Sequence, residues 1–240
     1  MHNNLSTPHD KSIEEAFFLD GYRLADGNLK EKFTPDQLFT AIKQMYEAID
    51  GLIDSFISRC KQTNTKIDCA KGCEWCCHQP VFASTHEMIY LTAHLNITFN
   101  RKEIRIMTEI SNQKAEKTNN KPIADLLKIN QPCALLSNGA CSAYEHRPMA
   151  CRIYLSSNVK TCLKRFNHEE SIEQFPALFD FILRAGRNMN EGFASRLREL
   201  GYKITENRME YFMPSLLSAY QLQEDWFNGK SISTDFNWQA

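Results

Sequence analysis

Four cysteines, Cys69, Cys73, Cys76 and Cys77, fall within the nine-residue stretch CAKGCEWCC. Four more follow at Cys133, Cys141, Cys151 and Cys162. Converging thiolates repel one another and lose hydration, so such a gathering implies a cation that holds them deprotonated. The spacing C-x3-C-x2-C-C lets one loop wrap an ion, and the distant partners close the shell and tie that loop to the rest of the chain. Eight thiolates match two four-coordinate zinc ions, two cubane iron–sulfur clusters, or one site with spare cysteines. Softness does not choose, because thiolates suit zinc and iron–sulfur alike. Cys76 and Cys77 leave one backbone in different directions, so they either serve two centres or divide into a ligand and a packing residue.

Cations beside the thiols can offset their charge or donate hydrogen bonds to sulfur. Arg147 and Arg152 flank Cys151, and Lys71 lies inside the first loop. The alternative for all three is a solvated face or a carboxylate partner. His78 directly follows Cys77 and is a further ligand candidate, since imidazole suits zinc and iron. With enough thiols at hand it ranks below them, and His146 and His86 rank lower still. The ninth cysteine, Cys60, closes an amphipathic helix and reads as a small apolar side chain.

An odd number of cysteines, with no basic-then-apolar leader in MHNNLSTPHDKSIEEAFFLD, points to a reducing cytoplasm and metal ligation rather than a disulfide scaffold. Charged residues make up 24% and hydrophobic ones 42% of the 240, which is globular composition. A net charge of −1 gives no global attraction to nucleic acid or an anionic membrane. No apolar run approaches the roughly 20 residues that cross a bilayer. The basic run KTCLKRF at 160–166 reads as a solvated face beside the cysteines rather than an RNA surface. Glycine-rich phosphate-cradling motifs are absent from the sequence.

The elements that must position these cysteines read as helices. TPDQ at 34–37 is a capping-box start with proline at the first helical position, followed by Leu38, Ile42, Met45, Ile49, Leu52 and Phe56 on one stripe. STHE at 84–87 opens a second helix through Met88, Leu91 and Leu95. Residues 101–118 carry Ile104, Met107 and Ile110 or Ser111, then turn polar in NQKAEKTNNK, an end expected to protrude into solvent. Leu178, Ile182 and Ala185 repeat at helical spacing, and Thr205 is placed to cap a stretch in which Met209, Phe212, Met213, Leu216 and Tyr220 share a face. Asn138-Gly139 supplies a turn before Cys141, and Pro148 suits the first turn of a short helix carrying Cys151. Alternating β-branched runs are scarce. The expected fold is mainly α: one helical domain over 1–240 with a loop-rich cysteine-cluster centre at about 66–165, flanked by helices at about 34–60 and 174–222.

The cysteine block with its Pro132-Cys133, Gly139-Ala140-Cys141-Ser142-Ala143-Tyr144 and Arg147-Pro148-Met149-Ala150-Cys151-Arg152 segments resembles the YkgJ-type cysteine-cluster family of zinc- or iron-chelating domains. The resemblance covers about residues 66–165 and implies metal or cluster binding by the cysteines. It also extends distantly to flagellin lysine N-methylases, larger proteins that resemble iron–sulfur enzymes using S-adenosylmethionine. CAKGCEWC further resembles the radical S-adenosylmethionine pattern, with Trp75 at the aromatic position. The extra Cys77 and the lack of alternating strands and helices depart from that family's barrel. Three functions follow as expectations: an iron–sulfur protein supporting catalysis such as methyl transfer from S-adenosylmethionine to a protein or peptide, a zinc-stapled structural or binding module, or a metal-handling and maturation factor.

Overall fold

The computed structural model describes residues 8–70, 72–126, 128–167 and 176–232. The fold is mainly α. Two long helices, α1 (Pro8–Asn28) and α2 (Pro35–Gln62), lead into the first cysteine loop. After it come β1 (Phe82–Ser84), α3 (Thr85–Thr98), α4 (Arg101–Thr118) and the single turn α5 (Ile123–Leu126). The second cysteine region contains the hairpin β2 (Leu136–Ser137) and β3 (Ala140–Cys141), then α6 (Met149–Arg152) and α7 (Val159–Asn167). The chain ends in α8 (Asp180–Glu199), β4 (Glu206–Arg208), α9 (Met209–Ser218) and α10 (Tyr220–Phe227). β1 pairs antiparallel with β4, with Ala83 opposite Asn207.

Both predicted capping boxes form. Thr34 accepts from the Gln37 backbone while the Gln37 side chain accepts from the Thr34 N–H, and Ser84 with Glu87 makes the same reciprocal pair. Leu38, Ile42, Met45 and Ile49 of α2 are wholly buried, as are Met88, Leu91 and Leu95 of α3. Asn138 and Gly139 both take positive φ, 49° and 74°, the conformation a two-residue hairpin turn needs. Cys60 is buried near the end of α2, as an apolar filler is.

Five expectations change. The 101–118 helix does not protrude at its polar end: Ser111, Lys114, Ala115 and Thr118 are buried, spaced i, i+3, i+4, i+7 on the face that meets α9. Leu178 precedes its helix and bridges to Ser156 instead. Thr205 caps nothing. Its backbone N–H donates to Thr85 Oγ1 at 3.0 Å while its carbonyl accepts from the Thr85 N–H at 2.9 Å, and Arg208 holds the N-cap position of α9. The stretch from Met209 also breaks at Ala219, five residues after Pro214, so Tyr220 begins α10. Pro148 stands at the N-cap of α6, one position before the first turn.

The helix α1 has no counterpart in the sequence reading, and its packing explains why. It lies along α8, where a Cβ on Gly21 would stand 1.8 Å from the Met189 carbonyl oxygen and one on Gly192 only 1.9 Å from that of Phe18. Two glycines thus let two backbones touch, and backbone atoms cannot rotate aside. Gly192→Ala is expected to cost about 2 kcal/mol net, overpacking outweighing the gain of about 1 kcal/mol in helix propensity, and to lower Tm by roughly 4–8 °C. Gly27→Ala, in α1, meets nothing within 4 Å. Thermal unfolding of the two variants should therefore separate, with Gly27→Ala unchanged or slightly raised; equal values would show that the helices do not cross at the glycines.

Candidate metal centre

The first cysteine loop is pinned at both ends. Asp68 and Cys69 both donate backbone N–H groups to the Ser156 carbonyl, at 3.1 and 3.2 Å, and Asp68 Oδ2 accepts from the Val159 N–H at 3.2 Å where α7 starts. The Cys69 thiol donates to the Tyr154 carbonyl at 3.6 Å. Cys76 and Cys77 lie on a 3-10 turn, Trp75–His78, that α7 covers through Phe166, whose ring lies 5.1 Å from Trp75 and 4.8 Å from His78. Phe166, the aromatic of the basic run, is thereby spent inside the protein.

The second group reaches the first through the backbone. Cys133 N–H donates to the Cys77 carbonyl at 2.8 Å, Leu136 N–H returns to the Cys133 carbonyl at 3.0 Å, and Leu136 pairs with Cys141 in the hairpin. Cys151 rides on α6, which is clamped from three sides. Glu87 of α3 accepts from the Met149 N–H at 2.7 Å, Arg152 ion-pairs with Asp50 of α2, and the Arg152 guanidinium lies 4.0 Å over the Tyr46 ring.

The result is one cavity of about 1050 Å³ whose wall carries Cys69, Cys73, Cys76, Cys77, Cys133, Cys141 and Cys151. Cys162 is buried just behind it, sharing a hydrogen bond with the Ser156 side chain. All nine cysteines are free thiols. Thiols from positions 69 to 151 thus line one cavity, although among the described residues no three Cys, His, Asp or Glu side chains converge tightly enough to hold an ion. Residues 68–175 match the family model described as "putative zinc- or iron-chelating domain", CxxCxxCC. No curated protein and no solved structure matches the chain.

The donor set of this stretch fits zinc or iron: many soft sulfurs, few hard oxygens, and cations poised to balance thiolate charge. Burial raises the Cys133 thiol to about 11 and also raises Cys69, Cys141, Cys151 and Cys162, with neighbouring thiols adding to each. Cys76 and Cys77 share a hydrogen bond that raises Cys76 and lowers Cys77, so Cys77 is the sulfur favoured as thiolate. Arg147 acts electrostatically on Cys69, Cys141 and Cys151, while it donates to the Tyr144 carbonyl at 2.6 Å. Arg152 sits in the cavity wall, but its charge is met by Asp50 and it donates to the Glu145 and Arg147 carbonyls, so it organises the loop. Lys71 lies outside the described residues.

The cation that sequence reading missed is Lys114. It is 6% exposed, donates to the Gln79 carbonyl at 3.2 Å, and favours the charged form of both Cys77 and Cys133. A buried ammonium facing thiols is itself a sign that those thiols carry negative charge in the working protein. Its only signal in the sequence is a polar residue in phase with Met107 and Ser111.

None of His78, His86 and His146 lines the cavity. His78 Nδ1 lies 3.2 Å from the Glu74 carbonyl, and His146 stacks on His94 with ring centroids 3.4 Å apart. His86 is wholly buried, stacked on Phe193, with Nε2 3.2 Å from Asn190 Oδ1 and Nδ1 without a hydrogen-bond partner. Burial pulls its imidazole down to about 4. The unfolded chain then binds a proton that the folded chain refuses, so stability is lost as pH falls from about 6.5 toward 4, by about 3 kcal/mol from this group. Glu87, raised by burial, titrates in the opposite sense. Denaturant unfolding at pH 7 and 4.5 should show the loss in wild type and a shallower slope in His86→Phe; equal slopes would mean that His86 does not set it.

Proposed function

We propose that the chain holds an iron–sulfur cluster on these cysteines and that the cluster supports catalysis in the cleft beside it, such as methyl transfer from S-adenosylmethionine to a protein or peptide. The observation that carries this reading is the size and composition of the cavity. A metal that only staples loops needs no room, whereas about 1050 Å³ continues past the sulfurs to Glu87, Asn190, Arg187 and Glu206. When bound, a cluster supplies electrons or an open iron site. The chain's own residues hold and orient: Glu87 and Arg152 fix α6 and Cys151, Lys114 balances charge at Cys77 and Cys133, and Arg147 spans three further sulfurs. The C-x3-C-x2-C run with Trp75 supports a cubane that leaves one iron for S-adenosylmethionine. Among the described residues the only sheets have two strands, so this reading does not use a barrel. Among the same residues no helix is long and apolar enough to cross a membrane. The reducing cytoplasm is the compartment in which these thiols stay available.

A zinc-stapled module is the second reading, favoured by one observation: the cysteines join short loops to α6 and α7, as structural zinc does. Anaerobic purification decides between them. Iron with stoichiometric sulfide and a brown visible spectrum supports the cluster, and a spectral change on adding S-adenosylmethionine to the reduced protein supports the cofactor. Colourless protein retaining zinc overturns the cluster in favour of the staple, and ready transfer of the metal to an apoprotein favours a metal-handling factor.

A further inference from the structure

Past the sulfurs the cavity runs to an end walled by α8, β1 and β4. Resting on the reading of this cavity as a substrate cleft, and not on which metal the cysteines hold, we infer that this end binds the α-amino-carboxylate group of a small ligand. Arg187 takes the carboxylate and Glu206 the ammonium.

Four arginines stand in the cavity wall, and three of them are committed. Arg147 donates to the Tyr144 carbonyl at 2.6 Å, Arg152 pairs with Asp50, and Arg198 grips Glu191 through two hydrogen bonds of 2.7 and 3.4 Å. Among the described residues the Arg187 guanidinium has neither an ion pair nor a hydrogen bond, and the same holds for the Glu206 carboxylate. Burial raises the Glu206 carboxyl, Glu87 and Glu191 add to that, and Arg187 opposes it, so the two uncommitted charges feel each other without touching.

The strand register brings them to one place. Thr85 N–H donates to the Thr205 carbonyl and Met209 N–H to the Val81 carbonyl, each at 2.9 Å, so the ladder bonds fall on odd-numbered residues. Ser84 opposite Glu206 is therefore a non-hydrogen-bonded pair, the kind in which facing side chains stand closest on one face of the ribbon. Ser84 Oγ accepts from Asn190 Nδ2 at 3.3 Å, which sets that face against α8. Arg187 lies three residues before Asn190 on the same side of the helix, and both line the cavity together with Glu206. Phe82, two residues before Ser84 and 37% exposed, shares the sheet face, and Leu183 lies one turn before Arg187.

A ligand seated here meets a planar donor fork on α8, an acceptor on β4 and apolar surface between them. The guanidinium fork matches a carboxylate in shape as well as charge. Glu87, Glu191 and Glu206 outnumber Arg187 and Arg198 at this end, so it favours a ligand that carries positive charge besides its carboxylate. An α-amino acid has both groups, and so does the methionyl end of S-adenosylmethionine.

Anaerobic isothermal titration calorimetry of the full chain as purified, with its metal content measured alongside, tests the assignment with S-adenosylmethionine, L-methionine and L-leucine. Binding of S-adenosylmethionine alone identifies the cofactor as the source of the group, and binding of the free amino acids identifies them. Arg187→Met should weaken the bound ligand about 10- to 100-fold, the range for a lost charge-assisted hydrogen bond, with Tm and metal content unchanged because Arg187 is exposed. Glu206→Gln should weaken it less, since its amide oxygen still accepts from an ammonium. The decarboxylated form of the bound ligand should be insensitive to Arg187→Met, because the group that Arg187 holds is gone. Binding of none of the three at millimolar concentration, unchanged affinity in Arg187→Met, or an equal loss for the intact and decarboxylated ligands overturns the assignment; iron or zinc on that same protein leaves the metal reading standing. Protein that binds the ligand as expected yet carries no metal as purified overturns the metal reading and keeps this one.

Discussion

Glu87→Ala should destabilise the protein by about 3–5 kcal/mol, the range seen when a buried charge-assisted network loses one member. The carboxylate is 2% exposed and accepts four hydrogen bonds: from Met149 N–H at 2.7 Å, Ser84 N–H at 2.9 Å, Tyr46 Oη at 3.1 Å and Asn190 Nδ2 at 3.2 Å. These donors come from α6, the start of α3, α2 and α8, so one side chain joins four elements. Truncation strands all four donors away from water and leaves a void where the carboxylate stood. Glu87→Gln should recover little, because its amide presents N–H groups to partners that are themselves donors. Guanidinium unfolding gives the free energy. A second readout separates positioning from bulk stability: Met149 begins the four-residue helix that carries Cys151, so metal affinity should fall in Glu87→Ala more than in a core variant of equal cost such as Leu95→Ala. A loss under about 1 kcal/mol, or equal metal affinities in the two variants, would refute the clamp.

How much of this was legible in the sequence depends on whether a residue announces its role by type or only by place. The capping boxes at Thr34 and Ser84 were legible because their side chains bond to their own backbone three residues away, and the NG turn because few other residues tolerate its φ values. The gathering of the cysteines was legible because thiols have few other reasons to crowd, and the spacing already joined both halves. Lys114 was hidden for the opposite reason. A polar helix face carrying Ser111, Lys114 and Thr118 has the same hydropathy whether it meets solvent or a thiol-lined cavity, and only the tertiary fold brings it against Gln79 and Cys77. The α1 helix was hidden because Gly21 weakens it locally, while its partner, Gly192, lies 171 positions away. Thr205 looked like a cap because threonine is one by type, yet its place opposite Thr85 puts it in a loop-to-loop clasp.

Stripping the metal should loosen the cysteine loops while the helical frame stays folded. The segments that bear the sulfurs hold little structure of their own: a four-residue 3-10 turn, two strands of two residues each, and the four-residue α6. Each is far below the length at which a helix or hairpin is stable alone. Glu87 and Arg152 tie α6 to the frame, whereas the 3-10 turn and the hairpin are linked to one another by bonds such as Cys133 N–H to the Cys77 carbonyl. The frame buries Leu38, Ile42 and Met45 of α2, Phe193 of α8, Phe212 of α9 and Trp226 of α10, all fully enclosed with no thiol among them. Because the sulfurs line the cavity without yet converging on a point, seating an ion must draw its walls inward, and that work is returned when the ion leaves. With free metal at about a thousand times its dissociation constant, binding contributes about 4 kcal/mol, so removing it should raise the opening of these loops about a thousandfold. Limited proteolysis with and without a chelator, followed by mapping of the first cuts, should place them between residues 66 and 82 and between 128 and 158, with most far-UV helix signal retained. Loss of the whole helix signal would mean instead that the sulfurs hold α2 and α8 together, and unchanged cutting would mean that the loops stand without an ion.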